Sequence, residues 1–189
     1  IKVINGDGEK LEDGIAILAE YYIDGKLDKL GVEGNDLPFA DRENIGSIND
    51  YSSGRNRYIG YLISLAKHSM KSLRIGLDTA NGASWMIAKN VFDALGAHTF
   101  VINNNPDGLN INLNAGSTHI ENFAQFVKDN KLDVGFAFDG DADRIGIIDD
   151  TGRYLDANDI LLLLYWYLME YRKMSGPIVR NLCTTHSLD

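Results

Sequence analysis

Asp139-Gly140-Asp141-Ala142-Asp143-Arg144 sets three carboxylates at i, i+2 and i+4, with a guanidinium directly behind them. Three anionic oxygen donors at that spacing can fold around one hard divalent cation, because Gly140 and Ala142 leave room for the turn. Arg144 cannot be a metal ligand. Beside the cation it is a fork for an anionic oxygen, above all a phosphate. The six residues alone therefore point to a metal and a phosphorylated substrate.

Other readings compete for the same loop. The plainest is a solvated acidic turn with no ligand. An EF-hand calcium loop also opens D-x-D-x-D, but it needs Gly at its sixth position, Glu at its twelfth and helices on both sides. This chain has Arg144 and Asp150 at those places, so that reading is set aside. A haloacid-dehalogenase-like phosphatase also carries D-x-D after an apolar strand, with the first Asp as nucleophile. Its pattern usually runs on into Thr or Val, where this chain has Ala142-Asp143-Arg144. It remains the enzymatic alternative.

The elements that must hold the loop can be read outward from it. Val134-Gly135-Phe136-Ala137-Phe138 leads in and Ile145-Gly146-Ile147-Ile148 leads out, so the loop hangs between two strands. Upstream, residues 73–77 form a compact apolar strand ending at Asp78. A turn at 79–83 and a helix over 84–95, stopped by Gly96, follow it. A strand at 99–102, a long polar loop at 103–119 and a helix at 120–130 come next. Downstream of the 145–149 strand, a turn at 150–152 precedes a helix over 159–173, capped by Asp156 or Asn158. Strands alternating with helices predict an α/β fold with a mostly parallel sheet. Ligands of such sheets bind beyond the carboxyl ends of the strands, where 78–83, 103–119 and 139–144 all emerge. Nearer the start, 1–4 reads as a strand, 11–23 and 57–68 as helices, and the polar, Gly-rich 24–56 as a linker. Residues 178–182 open a last strand.

Composition bounds the function. The 189 residues are 44% hydrophobic and 24% charged, with only 3 Pro, as in an ordinary globular protein. A net charge of −9 repels nucleic acid and anionic lipid, which argues against both as partners and confines any phosphate site to a few placed cations. The single Cys183 excludes an intrachain disulfide and fits a reducing cytoplasm. The longest apolar stretch, 160–169, is too short to span a bilayer and reads as a core helix. No stretch of these residues reads as a secretory signal, and none is expected. Trp85 and Trp166 fall at helical positions and are expected in the core. The chain starts at Ile1 and ends without a cap, so both ends are expected to have been cut from something larger.

Taken in order, four motifs resemble the α-D-phosphohexomutases. The Asp loop is similar to their metal loop, and Leu77-Asp78-Thr79-Ala80-Asn81-Gly82-Ala83 to the first strand-to-helix turn of their second domain. The segments 105–112 (NPDGLNIN) and 116–119 (GSTH) are similar to the phosphoglucosamine mutases among them. Residues 179–186 look more like other bacterial members, so glucosamine, glucose and mannose phosphates all stay open. The resemblance implies a three-layer α/β/α domain at 57–175, preceded by the tail of a first domain and a linker at 1–56. The start of a third domain follows at 176–189. It implies four domains around a cleft and a phosphoserine that exchanges its phosphoryl group with a hexose 6-phosphate and 1-phosphate through a bisphosphate. It also implies Mg²⁺ held by Asp139, Asp141 and Asp143. Arg144 would hold phosphate, and Lys2 would be a general acid/base. Ser117 and His119 would face the substrate, His119 having a bond within its own loop as the alternative. The implied partners are a phosphorylated hexose and the remaining domains. The family's phosphoserine loop, S-x-S-H-N-P, is absent from the sequence, so the isolated chain is expected to show no turnover. A non-catalytic sugar-phosphate or metal-binding module is the third possibility. Ala142 stands where the family more often has Gly.

Overall fold

The computed structural model describes residues 3–31, 40–47 and 49–176, which fall into two compact units divided at Asp50 and Tyr51. Lys2, Cys183 and the strand expected at 178–182 lie outside the described residues. In the first unit, an antiparallel bridge joins Ile4 to Lys10 around a turn. The Asn5 side-chain oxygen holds that turn by accepting from the amides of Asp7 and Glu9 at 3.0 and 2.9 Å. Helix α1 (Asp13–Ile23) follows, with Ile15 and Leu18 about half exposed and no residue buried. Short 3-10 turns at Leu27–Leu30 and Arg42–Asn44 interrupt the polar stretch.

The second unit begins with α2 (Ser52–Leu65), five residues ahead of the expected start and three short of the expected end. The early turn contains Ser52, Ser53 and Gly54, weak helix formers that hide it from propensity. Then come β1 (Arg74–Asp78), α3 (Ala88–Ala94), β2 (His98–Ile102), α4 (Glu121–Asp129) and β3 (Val134–Phe138). The order closes with β4 (Ile145–Asp149), β5 (Tyr154–Leu155) and α5 (Ala157–Trp166), which runs into a π turn at Tyr167–Tyr171. Strand order is β2-β1-β3-β4-β5. β1 pairs in parallel with β2 and β3, whereas β3–β4 and β4–β5 are antiparallel. The sheet is thus mixed, not mostly parallel. The physical reason is loop length. A parallel crossover needs roughly a dozen residues or more, and only 139–144 separate β3 from β4.

Helices cover both faces, giving three layers. On one face Phe123 and Val127 of α4 pack with Leu132, Ala137 and Ile148. A Cβ on Gly135 would lie 2.5 Å from Val127 and 2.8 Å from Phe123, so a bare backbone there is what lets α4 seat. On the other face Phe92 of α3 stacks on Phe136 at 5.4 Å, beside buried Ile75, Leu77 and Ala88. The Arg74 guanidinium donates to the carbonyls of Asn130 and Lys131 at the end of α4, and lies 4.6 Å from the Phe100 ring. Tyr58, Leu62 and Leu65 of α2 line a groove of about 620 Å³ together with α3 residues, Asp141 and Ala142.

Two expectations of burial fail. The apolar run at 160–169 is helical, but Leu163, Leu164 and Trp166 remain 55, 52 and 51% exposed. Trp85 is likewise 40% exposed. Trp166 instead packs edge-on against Tyr171 at 5.2 Å. Helical spacing predicts a face. It does not say that a partner surface exists among the same residues. Asp156 is the cap of α5, accepting from the Asn158 amide at 2.7 Å. Among the described residues, no helix is long and apolar enough to cross a membrane.

The β4–β5 turn is organised by one carboxylate oxygen. Asp149 Oδ1 accepts from the Thr151 hydroxyl at 2.6 Å and from the Thr151 and Arg153 amides at 2.9 Å each. The bond from the Thr151 side chain, followed by that from the Arg153 amide, holds the Asp149 carboxyl below its ordinary value. A depressed acid stabilises the fold above its unfolded pKa of about 3.9, and that contribution is lost as pH falls through the lower, folded value. Asp149→Asn should therefore be less stable than wild type at neutral pH, with the gap narrowing below about pH 4. Urea unfolding across pH 2.5–7 checks this, and a gap that stays constant would mean the turn bonds carry no charge dependence.

Candidate metal centre

Because β1, β2 and β3 run parallel, their carboxyl ends share one sheet edge, and three loops meet there. The first, after β1, is wound tightly: Ala80 and Asn81 both have φ near +50°. Asp78, buried at the strand's end with 1% exposure, receives three hydrogen bonds. Its Oδ1 accepts from the Ala80 amide at 2.9 Å. Its Oδ2 accepts from Asn103 Nδ2 at 3.0 Å and the Gly116 amide at 2.9 Å. The Thr79 hydroxyl donates to the Asn103 carbonyl at 2.7 Å, the Asn81 amide to the same carbonyl at 2.6 Å, and the Asn112 amide to the Ala80 carbonyl at 2.9 Å. Loops one and two are thus laced together through main-chain bonds. Asn at 103, 112 and 114 takes the left-handed conformation, which Asn tolerates better than most residues.

The Asp loop is clamped between them. The Ala83 amide donates to the Gly140 carbonyl at 2.8 Å, and a Cβ on Gly82 would stand only 2.3 Å from that oxygen. A Cβ on Gly116 would stand 2.2 Å from the Phe138 carbonyl. Only glycine allows these two backbone contacts, which grip the chain on either side of Asp139. The contact with Gly140 also explains why α3 starts at Ala88 and not at 84. Residues 83–87 form a series of turns as they leave the clamp.

Asp139, Asp141 and Asp143 each bring a carboxylate oxygen to within 4.8 Å of the other two. On one octahedral Mg²⁺, adjacent ligand oxygens lie roughly 2.9 Å and opposed ones roughly 4.2 Å apart, so the three are near enough to converge on a single small hard cation once they draw together. Asp139 is partly buried, Asp141 and Asp143 exposed. Ala142 has φ +62°, the left-handed conformation that glycine adopts at least cost. Arg144 stands beside the carboxylates. Its amide donates to Asp139 Oδ1 at 3.1 Å, and its Nε lies 3.9 Å from Asp139 and 4.0 Å from Asp143. Those distances are too long for hydrogen bonds, and the side chain is 73% exposed.

Ser117 and His119 sit on the turn that contacts β3 and β4 at the foot of the loop. Ser117 Oγ is buried without a hydrogen-bond partner among the described residues. His119 Nδ1 is 3.2 Å from Thr118 Oγ1, the bond within its own loop that the sequence offered as an alternative. The sequence reading gave Asp78 no role. The signal was there in an acid closing a strand whose last four residues, Ile75 to Asp78, are all buried.

Comparison with known proteins agrees with this architecture. Residues 56–152 match the family model described as phosphoglucomutase/phosphomannomutase, alpha/beta/alpha domain II. A phosphoglucosamine mutase of Lachnospira eligens is 50% identical over 93% of this chain. One of Lachnoclostridium phytofermentans is 50% identical over all of it. The chain spans only 38 and 42% of those relatives' lengths. In fold, it resembles the crystal structure of a phosphoglucomutase/phosphomannomutase family protein from Burkholderia thailandensis, with TM-score 0.55, 24% identity, 62% of this chain and 26% of that one covered. With its three-layer domain and its clamped triple-Asp loop, this chain belongs to the phosphoglucomutase/phosphomannomutase family.

Proposed function

We propose that the chain is the metal-holding part of a phosphohexomutase that interconverts a hexose 6-phosphate and 1-phosphate, with glucosamine phosphate as the sugar. The observation that carries this is the convergence of Asp139, Asp141 and Asp143 with Arg144 alongside. The choice of sugar rests on the phosphoglucosamine mutase relatives. Residues 1–56 then belong to a first domain and linker, 57–175 to the second domain, and 176–189 to a third. Family membership displaces the reading of Asp139 as a phosphatase nucleophile.

Phosphoryl transfer asks the protein chiefly for positioning and charge, since its transition state spreads negative charge over three equatorial oxygens. The three carboxylates would hold Mg²⁺, which supplies positive charge against those oxygens. Arg144 places a second, forked cation at the same edge, with its guanidinium donors uncommitted to tight bonds among the described residues. The buried backbone clamp keeps the loop from recoiling when a dianion arrives. On the neighbouring turn, exposed His119 is bonded at Nδ1 and keeps Nε2 to meet the sugar, whereas Ser117, its Oγ buried, would act there only by shaping the turn. Lys2 is proposed for proton transfer at the attacking hydroxyl.

Asp141→Ala should abolish measurable Mg²⁺ binding by calorimetry, since a site with few protein ligands has no spare donor. Unchanged affinity would remove the metal assignment. Turnover of glucosamine, glucose and mannose 6-phosphates by the whole enzyme containing this chain, followed by phosphorus NMR, tests the reaction and the sugar together. The glucosamine substrate should have the highest kcat/KM. Phosphate release as the main product would favour a phosphatase.

A further inference from the structure

We infer that Asp78 is a positioning residue for the metal loop, acting through the two loops that clamp it; this rests on reading 139–143 as the metal site. Among the described residues, every hydrogen bond its carboxylate accepts comes from those flanking loops, at Ala80, Asn103 and Gly116. Each bond holds a feature that presses on the Asp loop. The Gly116 amide is tied down where its α-carbon meets the Phe138 carbonyl. The Ala80 amide is tied down in a left-handed conformation, φ +50°, that starts the turn carrying Gly82 and Ala83 to the Gly140 carbonyl. Asn103, itself at φ +50°, receives on its carbonyl the bonds from Thr79 and Asn81. Three strained or close backbone placements thus converge on one buried side chain, and two of them end on residues 138 and 140, the neighbours of Asp139. A carboxylate is the group suited to this place. It offers acceptors only, against three donors, whereas an amide at the same position would turn two hydrogens toward an N–H.

Loosening that anchor lets Asp139 drift from its two partners without touching any ligand. Groups that orient ligands in this indirect way typically change metal affinity by about 10–100-fold. Asp78→Asn in the full chain should therefore weaken binding of Mn²⁺, used as the probe, roughly tenfold by calorimetry. Amide exchange over 79–83 and 103–116 should quicken. Asn103→Ala, which removes one donor from the half-buried end of the network, should shift affinity the same way by less, and it serves if Asp78→Asn does not fold. Val127→Ala, in the core away from the loops, is the control for general destabilisation. It should lower Tm and leave Mn²⁺ affinity as in wild type. Asp141→Ala separates the two readings. If it abolishes binding while both Asp78→Asn and Asn103→Ala bind as wild type, the positioning role is wrong and the metal site stands. If Asp141→Ala binds normally, the metal site itself is wrong and the inference goes with it. Equal loss of affinity in Val127→Ala would reduce Asp78 to an ordinary stabilising residue and overturn the proposal.

Discussion

Gly116→Ala is expected to destabilise the α/β unit by roughly 2–5 kcal/mol, the sum of two independent penalties. The first is conformational. Gly116 has φ +75°, where a Cβ costs about 1–2 kcal/mol. The second is steric. The new methyl would lie 2.2 Å from the Phe138 carbonyl and 2.7 Å from the Ala80 Cβ, both held by buried, bonded backbone that cannot step aside. Forced overpacking of that kind costs about 1–3 kcal/mol. Gly108→Ala isolates the first penalty. Gly108 has φ +91°, but nothing stands within 4 Å of its Cβ position. It should lose only about 1–2 kcal/mol. For a chain of this size, each kcal/mol moves Tm by roughly 2–4 °C, so the gap between the two variants is measurable by calorimetry or circular dichroism. Equal Tm values would mean that the second loop does not press on the β3 carbonyl. Metal affinity should fall in Gly116→Ala and not in Gly108→Ala, since only the first pushes on the chain entering the Asp loop.

The sheet edge was legible in the sequence because its signals are local. Apolar runs ending in Asp78 and at Phe138 mark strands whose ends carry polar loops, and D-x-D-x-D needs no tertiary context to suggest a cation. The mostly parallel sheet expected from the sequence is right for β1, β2 and β3 and wrong for β4 and β5, although loop length held the information. Six residues between β3 and β4 cannot form a crossover, and four between β4 and β5 make a hairpin. The apolar run of β4 would look the same in either direction, and that misled the reading. The roles of Gly82, Gly116 and Asp78 were hidden for another reason. Each acts on a backbone 20 or more residues away, and nothing in the order of residues reveals a contact such as Gly116 on Phe138. Helix α5 shows the converse limit. Its apolar stripe is plain in the sequence, yet Leu163 and Trp166 stay half exposed, because burial depends on a facing surface and not on the stripe. Ala142 became intelligible only with φ +62° in hand.

In the full enzyme containing this chain, Arg144→Ala should leave the fold intact and lower kcat by ~10²–10³-fold. The two halves of that expectation have separate grounds. For stability, the side chain is 73% exposed and its nearest carboxylates are 3.9 and 4.0 Å from Nε. With the guanidinium in solvent and no hydrogen bond made, pairs of that length contribute about 0–1 kcal/mol, less in salt, even though Asp139 itself is partly buried. For rate, the guanidinium stands beside the three carboxylates that would hold the cation, where in the proposed reaction negative charge would gather on a transferred phosphoryl group. One preorganised donor at a developing anion is typically worth ~10²–10³ in kcat, far more than a surface ion pair is worth in folding. Arg144→Lys distinguishes charge from shape. It keeps a cation but loses the planar fork that grips two phosphate oxygens, so it should recover only part of the lost rate. KM should stay near wild type if the fork acts on the transition state alone, whereas KM would rise with kcat unchanged if it only holds the substrate. Steady-state kinetics on glucosamine 6-phosphate and 1-phosphate, with circular dichroism to verify the fold, measures all of these. Turnover near wild type in a correctly folded Arg144→Ala enzyme would show that the guanidinium beside the Asp loop is a bystander, and that the phosphate meets its cations elsewhere.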